Sequence, residues 1–348
     1  MSTDAAEQRV LDAVESRRDL VNDALDDDVP MQSPERLYEA TRYLLKAGGK
    51  RLRPTVSLLT AEALADVEPL SVDYHAFPAL DGAEIDVMSA ATSIEVIQSF
   101  TLIHDDIMDD DDLRRGVPAV HKEYDTETAI LAGDTLYAKA FELLSGTGAD
   151  PQNGIEAVQR LATTCTQICE GQALDVEFEH RTEVLPGEYL EMVELKTAVL
   201  YGAAAATAAT LMDADDATVE AVYRYGIDSG RAFQIQDDVL DLTVPSETLG
   251  KQRGSDLVEN KETLITLHAR QQGVDVEGLV DATDVDSVSE AEIEEAVAVL
   301  DEAGSIDYAE AKARELTANA KDHLDVLPDN EARSLLRDIS DYLITRGY

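Results

Sequence analysis

Helical periodicity runs through almost the whole of this 348-residue chain and limits it to an all-α fold. Apolar residues recur with a helical period in twelve segments, and no stretch alternates as a half-buried strand would. The predicted helices span residues 5–27, 35–47, 52–65, 88–109, 126–145, 154–171, 187–212, 216–242, 260–271, 290–303, 307–324 and 330–345. No linker divides them, so the sequence predicts one large helical bundle and a single domain, 1–348, with acidic loops near 66–86 and 273–289.

The charge balance excludes several classes of partner. The chain carries 72 acidic and 28 basic residues, a formal net charge of −44. Such a surface repels nucleic acid and anionic membranes, and it is tolerable at molar salt, where the Debye length is about 3 Å. The apolar run Thr197–Met212 is too short and alanine-rich for stable membrane insertion, and the N-terminus has no apolar signal core. The sequence therefore predicts a halophilic, cytoplasmic protein. The amphipathic helices argue against an acidic disordered chain.

Two similar acidic blocks are the strongest chemical signal. The first reads LIHDDIMDDDDLRRG over 102–116, and the second reads FQIQDDVLD over 233–241. Asp105 and Asp109 are four residues apart, as are Asp237 and Asp241, so each pair lies on one face of a helix. Like charges in apolar surroundings are costly unless a cation joins them. Hard oxygen ligands suit Mg²⁺, which takes further ligands from water and substrate phosphates. Two such pairs facing each other would form a cage for a diphosphate.

Cationic residues accompany these blocks. Arg114 and Arg115 follow the first block, and Lys251 follows the second. A separate basic turn, GGKRLRP over 48–54, indicates an anion site that needs no metal. The chain has only nine lysines, and four of them fall in these and neighbouring motifs: Lys50, Lys196, Lys251 and Lys261.

Six motifs in order resemble those of the trans-isoprenyl diphosphate synthases, most closely the archaeal-type geranylgeranyl diphosphate synthases. They are GGKRLRP, LIHDDIMD with LRRG, GQALD, ELKTA, FQIQDDVLD and GKxxGSDLxENK, and the resemblance runs from about residue 37 to 263. It implies a helical bundle of the isoprenoid synthase type with a central substrate cavity, and a homodimer. It also implies a Mg²⁺-dependent prenyltransferase that condenses isopentenyl diphosphate with an allylic diphosphate, head-to-tail and trans.

The same resemblance assigns roles to individual residues. The implied ligands of three Mg²⁺ ions are Asp105, Asp109 and Asp237. The implied catalytic set adds Asp106, Asp238 and Asp241, which would bind metal or its waters, and Lys196 and Lys251. The implied contacts to the allylic diphosphate are Arg114, Lys196 and Lys251, and those to isopentenyl diphosphate are Lys50, Arg53, Arg115 and Gln98. The implied cavity lining is Gln172, Asp175, Thr197 and Gln234. Lys261 belongs to the substrate-binding set, although Asn260 stands before it where glycine is common.

Product length depends, in this family, on bulk below the first acidic block. Phe100 lies five residues before Asp105 and is expected to form the floor of the tail pocket, with the small Thr101 beside it. This pattern resembles synthases that stop at twenty carbons, and farnesyl and C25 (farnesylgeranyl) products remain alternatives. We expect His104 to support Asp105 rather than act as a general base.

Three other functions remain to be weighed: a terpene cyclase, a head-to-head synthase and a non-catalytic subunit of a heteromeric synthase. Cyclases commonly carry one Asp-rich motif, and non-catalytic subunits usually lose one. This chain retains both blocks and the basic turn.

Overall fold

The computed structural model describes residues 3–178, 180–181, 183–245, 253–280 and 288–345. Helices dominate these ranges. The first seven are α1 (Thr3–Asp28), α2 (Glu35–Lys46), α3 (Leu52–Ala65), α4 (Val87–Met108), α5 (Val120–Glu123), α6 (Thr126–Ser145) and α7 (Pro151–Phe178). The next are α8 (Pro186–Val193), a π-helical turn (Glu194–Ala198), α9 (Val199–Leu211), α10 (Asp216–Thr243) and α11 (Ser255–Val258). The last are α12 (Leu264–Gln271), α13 (Glu290–Glu302), α14 (Ser305–His323) and α15 (Glu331–Thr345).

Extended structure is confined, in the described ranges, to two small antiparallel hairpins. One pairs β1 (Phe77–Pro78) with β2 (Glu84–Ile85), and the other pairs β3 (Leu113–Arg114) with β4 (Val117–Pro118). Each strand is two residues long, too short for an alternating pattern to show in the sequence. Short 3₁₀ turns occupy Tyr74–Ala76 and Leu324–Val326.

The chain divides into two compact units. The first comprises residues 1–165, 200–223 and 324–338. Within it α4 packs against α1, α3 and α6, and every residue from Val87 to Ile97 except Ser89 is buried. The core also encloses an ion pair in which Arg17 Nη2 lies 2.6 Å from Glu62 Oε2, with both side chains 1% exposed.

The second unit comprises residues 166–199, 224–323 and 339–348. Its apolar core draws on α7, α8, α10, α12, α13 and α14, with Tyr189, Ile235 and Leu264 among its buried members. A smaller cluster of Val258, Val288 and Ile293 lies beside it. Two carboxylic acids of the second acidic block, Asp238 and Asp241, are buried in this unit.

The predicted all-α class is confirmed, and most predicted helix ends lie within two or three residues of the observed ones. Three predictions of extent were wrong. The helix predicted over 154–171 runs from Pro151 to Phe178, and the one predicted over 260–271 begins only at Leu264. The one predicted over 187–212 is interrupted by the π-helical turn. No helix in the described ranges is long and apolar enough to cross a lipid bilayer. The single-domain assignment stays a prediction.

Candidate active site

The first acidic block ends helix α4 in the first unit. Asp105 is half-buried and Asp109 is exposed, one turn further along. The amide of Asp109 donates to the carbonyl of Asp105 at 2.9 Å, so both residues belong to the last helical turn. Asp110 then adopts a left-handed conformation, φ 54°, and the helix stops. The structure thus places two carboxylates one turn apart at a helix end.

Asp106 differs from its neighbours because its side chain is fully buried. Arg114 Nε donates to Asp106 Oδ1 at 2.6 Å, and Arg114 Nη2 donates to Asp111 Oδ2 at 2.7 Å. Burial raises the pKa of Asp106 above its ordinary value, and the hydrogen bond from Arg114 acts in the opposite direction. Asp106 therefore anchors Arg114, which lies on strand β3, to the end of α4.

The two remaining aspartates of the block have a cation of their own. Lys122 Nζ, on α5, lies 2.8 Å from Asp110 Oδ1 and 3.0 Å from Asp112 Oδ1. Both carboxylates are largely exposed, so these pairs add little stability. They give Asp110 and Asp112 a shared partner in Lys122, which the sequence analysis did not connect with this block.

The basic turn joins α2 to α3 in the same unit. Arg51 is buried and pairs with the buried Glu95 of α4. Lys50 is exposed, and Arg53 lies over the ring of Tyr201 with 4.2 Å between Cζ and the ring centroid. Lys50 and Arg53, two of the residues predicted to bind isopentenyl diphosphate, thus lie in a turn that the buried side chain of Arg51 anchors to α4.

Arg115 connects this turn to the hairpin. Its guanidinium donates to the carbonyl of Gly48. Gly49 has φ +140°, a conformation that other residues rarely adopt, and a Cβ atom there would lie 3.0 Å from Arg115 Cζ, so glycine favours the close approach. Burial lowers the pKa of Arg115, and neighbouring guanidinium groups lower it further, whereas Glu95 acts in the opposite direction. Consecutive arginines therefore contact the acidic block and the basic turn.

The predicted chain-length residues lie further back along α4. The Phe100 ring centroid is 4.8 Å from that of His104 and 5.2 Å from that of Tyr137 on α6. Thr101 is buried, and its hydroxyl donates to the carbonyl of Gln98 at 2.9 Å. Phe100 thus belongs to an aromatic cluster between two helices, and Tyr137 is a member that the sequence did not indicate.

The second acidic block lies on α10 in the second unit. Asp237 is half-buried, whereas Asp238 is 6% exposed and Asp241 is 2% exposed. Tyr189 donates a hydrogen bond to Asp238 Oδ2, and Gln234 Nε2 donates to Asp238 Oδ1 at 3.1 Å. Burial holds the pKa of Asp238 well above its ordinary value. Tyr189 belongs to no motif, so the sequence analysis did not single it out.

Asp241 secures the segment that follows the block. Its carboxylate accepts from Ser255 Oγ at 2.9 Å and from the amide of Asp256 at 3.2 Å. Its carbonyl accepts from the amide of Gly254 at 2.8 Å. These contacts tie the short helix α11 to α10. Lys251, predicted to bind the allylic diphosphate, lies outside the described residues.

A pocket of about 140 Å³ opens beside Asp238 within the second unit. It is lined by Asp175, Tyr189, Met192, Val193, Lys196, Thr197, Gln234, Asp238, Asp256, Lys261, Glu262 and Thr263. Lys196 Nζ lies 2.5 Å from Asp175 Oδ2, and Thr197 Oγ1 lies 3.3 Å from Gln234 Oε1. Lys261 Nζ lies 2.9 Å from Glu259 Oε2. Seven polar residues from four separate motifs thus line one pocket.

The GQALD motif places α7 against the π-helical turn. A Cβ atom at Gly171 would lie 2.7 Å from the Cα of Lys196, which is closer than atoms can approach. Next to it, Gln172 is 7% exposed, and neither polar atom of its amide has a hydrogen-bond partner among the described residues. The glycine therefore sets the position of Lys196, and Gln172 is a buried amide available to a ligand.

Comparison with known proteins identifies the family. The polyprenyl synthetase family model matches residues 34–300. The chain belongs to the polyprenyl synthetase family. A geranylfarnesyl diphosphate synthase from Natronomonas pharaonis is 68% identical over 336 residues, which cover 97% of both chains. A geranylgeranyl diphosphate synthase from Methanosarcina mazei is 47% identical over 97% of this chain and 98% of the relative.

Solved structures agree. A geranylgeranyl pyrophosphate synthetase from Geoglobus acetivorans superposes with a TM-score of 0.85 and 44% identity, covering 96% of this chain and 99% of that one. One from Pyrococcus horikoshii gives a TM-score of 0.85 at 33% identity, covering 97% and 99% of the two chains. The predictions of an archaeal-type trans-isoprenyl diphosphate synthase, of a trans-prenyltransferase and of the isoprenoid synthase fold are confirmed.

The acidic helix end of this polyprenyl synthetase fits Mg²⁺. Within the described ranges, no three His, Cys, Asp or Glu side chains form a ready-made metal site. Mg²⁺ at a phosphate site usually needs only one or two carboxylates, because water and the substrate complete its shell. Asp105 and Asp109 supply that number, and Asp106 Oδ2 is buried without a hydrogen-bond partner in the described part of the chain.

Proposed function

We propose that this prenyltransferase condenses isopentenyl diphosphate with an allylic diphosphate in the presence of Mg²⁺ and releases geranylgeranyl diphosphate. One observation carries the proposal. In the first unit the consecutive residues Arg114 and Arg115 contact, respectively, the acidic end of α4 and the cationic turn. An acidic helix end suits a diphosphate that arrives with metal, and a cationic turn suits one that arrives without it.

The metal-dependent part of the proposal concerns the allylic substrate. Asp105, Asp109 and Asp237 would hold Mg²⁺, three ions in all, and the bound cations supply positive charge that stabilises diphosphate as it departs. The family resemblance assigns Arg114, Lys196 and Lys251 to the allylic diphosphate. Arg114 is kept in place for this by Asp106, and Lys196 by Asp175.

The reaction then follows from placement of the second substrate. Lys50, Arg53 and Arg115 hold isopentenyl diphosphate, with Gln98 nearby on α4. The allylic carbon–oxygen bond breaks and leaves an allylic cation, and the alkene of isopentenyl diphosphate donates its electron pair to that cation. A proton is lost from the new cation to the departing diphosphate, which restores a double bond. Proximity of the two substrates supplies much of the acceleration, and His104 stays a support for Asp105.

Two product lengths are supported by different observations. Phe100, with Tyr137 behind it, favours a tail pocket that ends at twenty carbons. The 68% identical relative is a geranylfarnesyl diphosphate synthase, which favours a C25 product as the second candidate. A farnesyl product is shorter than the products named for both of the relatives compared above.

One experiment tests the reaction and the product together. The purified protein is incubated with isopentenyl diphosphate and an allylic primer of five, ten or fifteen carbons, with Mg²⁺ or with excess chelator, and the dephosphorylated products are sized by chromatography. We expect C20 alcohol, formed only with Mg²⁺. A C25 main product would favour the second candidate, and absence of any condensation would overturn the proposal.

We further propose that the protein acts as a cytoplasmic homodimer. Ile130 and Leu131 on α6 are 41% and 56% exposed, and apolar side chains of this size gain stability when a second copy covers them. Light scattering after gel filtration measures the mass directly.

A formal charge of −44 gives no attraction to nucleic acid.

A further inference from the structure

Glu95 is a buried acid that no sequence motif includes. It lies on α4 in the first unit with 3% of its surface exposed. Its Oε1 accepts a hydrogen bond from Arg51 Nη1 and lies 3.7 Å from Arg115 Nη2. One carboxylate therefore opposes two guanidinium groups, and one of these belongs to the predicted isopentenyl diphosphate site.

Arg51 is fixed by these contacts and cannot itself reach a substrate. Its side chain is 1% exposed, and its other donors bond to Asn22 Oδ1 at 2.9 Å and to the carbonyl of Leu45 at 2.5 Å. Its backbone has φ 52°, a left-handed conformation that is uncommon outside glycine. The ion pair with Glu95 offsets that strain and so holds the turn between α2 and α3 in one conformation.

Arg115 is held between Glu95 and the turn. Its guanidinium donates to the Gly48 carbonyl and lies against Gly49, while 21% of the side chain stays exposed. Arg115 is thereby kept ordered and yet available to an anion.

The balance of charge around Glu95 is positive. Its single negative charge is shared by the two cations Arg51 and Arg115. Lys50 and Arg53, in the same turn as Arg51, add two more cations. We propose that Glu95 is a positioning residue for isopentenyl diphosphate: it fixes Arg51 and Arg115 and so preorganises the cationic turn before the substrate arrives. Preorganisation strengthens binding because less conformational freedom is lost when the ligand binds. The inference rests on the proposed function and adds a residue to it.

The competing explanation is a purely structural ion pair, and the chain offers a matched control for it. Glu62 is equally buried and pairs with the buried Arg17 at 2.6 Å in the same unit. Its other partners are the hydroxyl of Tyr74 and the amide of Leu70. Glu62→Gln therefore removes the same kind of charge from the same kind of pair, outside the cationic turn.

The test compares Glu95→Gln with Glu62→Gln. Binding of isopentenyl diphosphate is measured by titration calorimetry in chelator, so that the metal-dependent site does not contribute, and the KM values of both substrates are measured with Mg²⁺. For Glu95→Gln we expect binding of isopentenyl diphosphate to weaken about tenfold, the loss typical of one charge-assisted hydrogen bond, with the allylic KM unchanged. For Glu62→Gln we expect a lower melting temperature and unchanged affinity.

Further variants cover the case in which Glu95→Gln fails to fold, since an unpaired buried arginine is strongly destabilising. The double variant Arg51→Met with Glu95→Gln removes both buried charges, and we expect it to fold and still bind isopentenyl diphosphate weakly. Unchanged affinity in either Glu95 variant, or equal weakening in Glu62→Gln, would overturn the inference. If the wild type binds isopentenyl diphosphate but does not condense it, the proposed function fails while the role of Glu95 in binding is still decided; if it does not bind, both fail.

Discussion

Replacing Phe100 with alanine is predicted to lengthen the product by one isoprene unit. Phe100 precedes Asp105 by five residues, about 7.5 Å along the axis of α4 at 1.5 Å per residue. Its ring packs 4.8 Å from His104 and 5.2 Å from Tyr137, measured between centroids. The substitution removes six ring carbons, and an isoprene unit adds five. The space released is therefore sufficient for one further condensation.

The size of the effect follows from the kind of discrimination involved. Fit to an apolar pocket separates ligands by only about 1–3 kcal/mol per methylene, whereas a steric wall rejects more strongly. Removing the wall should turn the next homologue from a trace into the main product. The fold should survive, because Phe100 is only half-buried and the loss must fall below the roughly 3–5 kcal/mol of a fully buried Phe→Ala change.

The assay is chromatography of the dephosphorylated products at equal conversion. Leu102→Ala is the matched control, since Leu102 is also half-buried on α4 but lies about 200° around the helix from Phe100. It should leave the product unchanged. If Phe100→Ala gives the parental chain length at wild-type rates, Phe100 is not the floor of the pocket and the proposed path of the tail along α4 is wrong.

Three other predictions test separate parts of the molecule. Asp105→Ala and Asp237→Ala should each abolish condensation at saturating Mg²⁺ without changing the circular dichroism spectrum; wild-type turnover in either would contradict the metal assignment. Gly171→Ala should lower the melting temperature and the activity, because its Cβ would overlap the backbone of the π-helical turn, whereas Gly154→Ala on the same helix meets open space and should be neutral or stabilising by up to about 1 kcal/mol. Asp125 caps α6, and its hydrogen bonds to the threonine three residues on are the main reason that its pKa falls to about 2. Its contribution to stability is therefore present above the unfolded-state pKa of 3.8 and is lost as the pH falls towards 2. Melting temperatures of wild type and Asp125→Asn should converge over that interval, and a constant difference would rule out this linkage.

The sequence predicted the helices well because burial of one helical face leaves a strong periodic signal. This periodic signal failed where the backbone is not α-helical. The π-helical turn Glu194–Ala198 interrupts a continuous apolar run, and nothing in residue type marks the change of hydrogen-bond register. The hairpin at Leu113–Pro118 is too short to have a period of its own. The local apolar pattern thus predicts the helices, whereas close packing against other segments determines where a helix is interrupted.

The candidate site was predictable in its motifs but not in its supports. Asp-rich and basic motifs name the residues proposed to face a ligand, and the structure places them at helix ends and around one turn. Glu95 and Tyr189 escaped notice because neither belongs to a motif with a recognisable spacing. Only the fold reveals that one pairs with Arg51 and the other donates to Asp238. A buried polar residue becomes informative once its partner is known.

The pairing of the site cations has a consequence for a chain with a formal charge of −44. Arg114, Lys196 and Arg115 are associated with Asp106, Asp175 and Glu95 respectively. At the molar salt predicted from the composition, screening over about 3 Å removes long-range attraction, so a surface charge cannot guide a diphosphate to the site. Recognition must then depend on contacts within hydrogen-bond distance, and these are strongest when each cation is already ordered. Partner carboxylates provide that order, and a single guanidinium can bond to its carboxylate and to a phosphate through different N–H groups. On the proposed function, ordered cations allow a strongly acidic protein to bind two anionic substrates in salt.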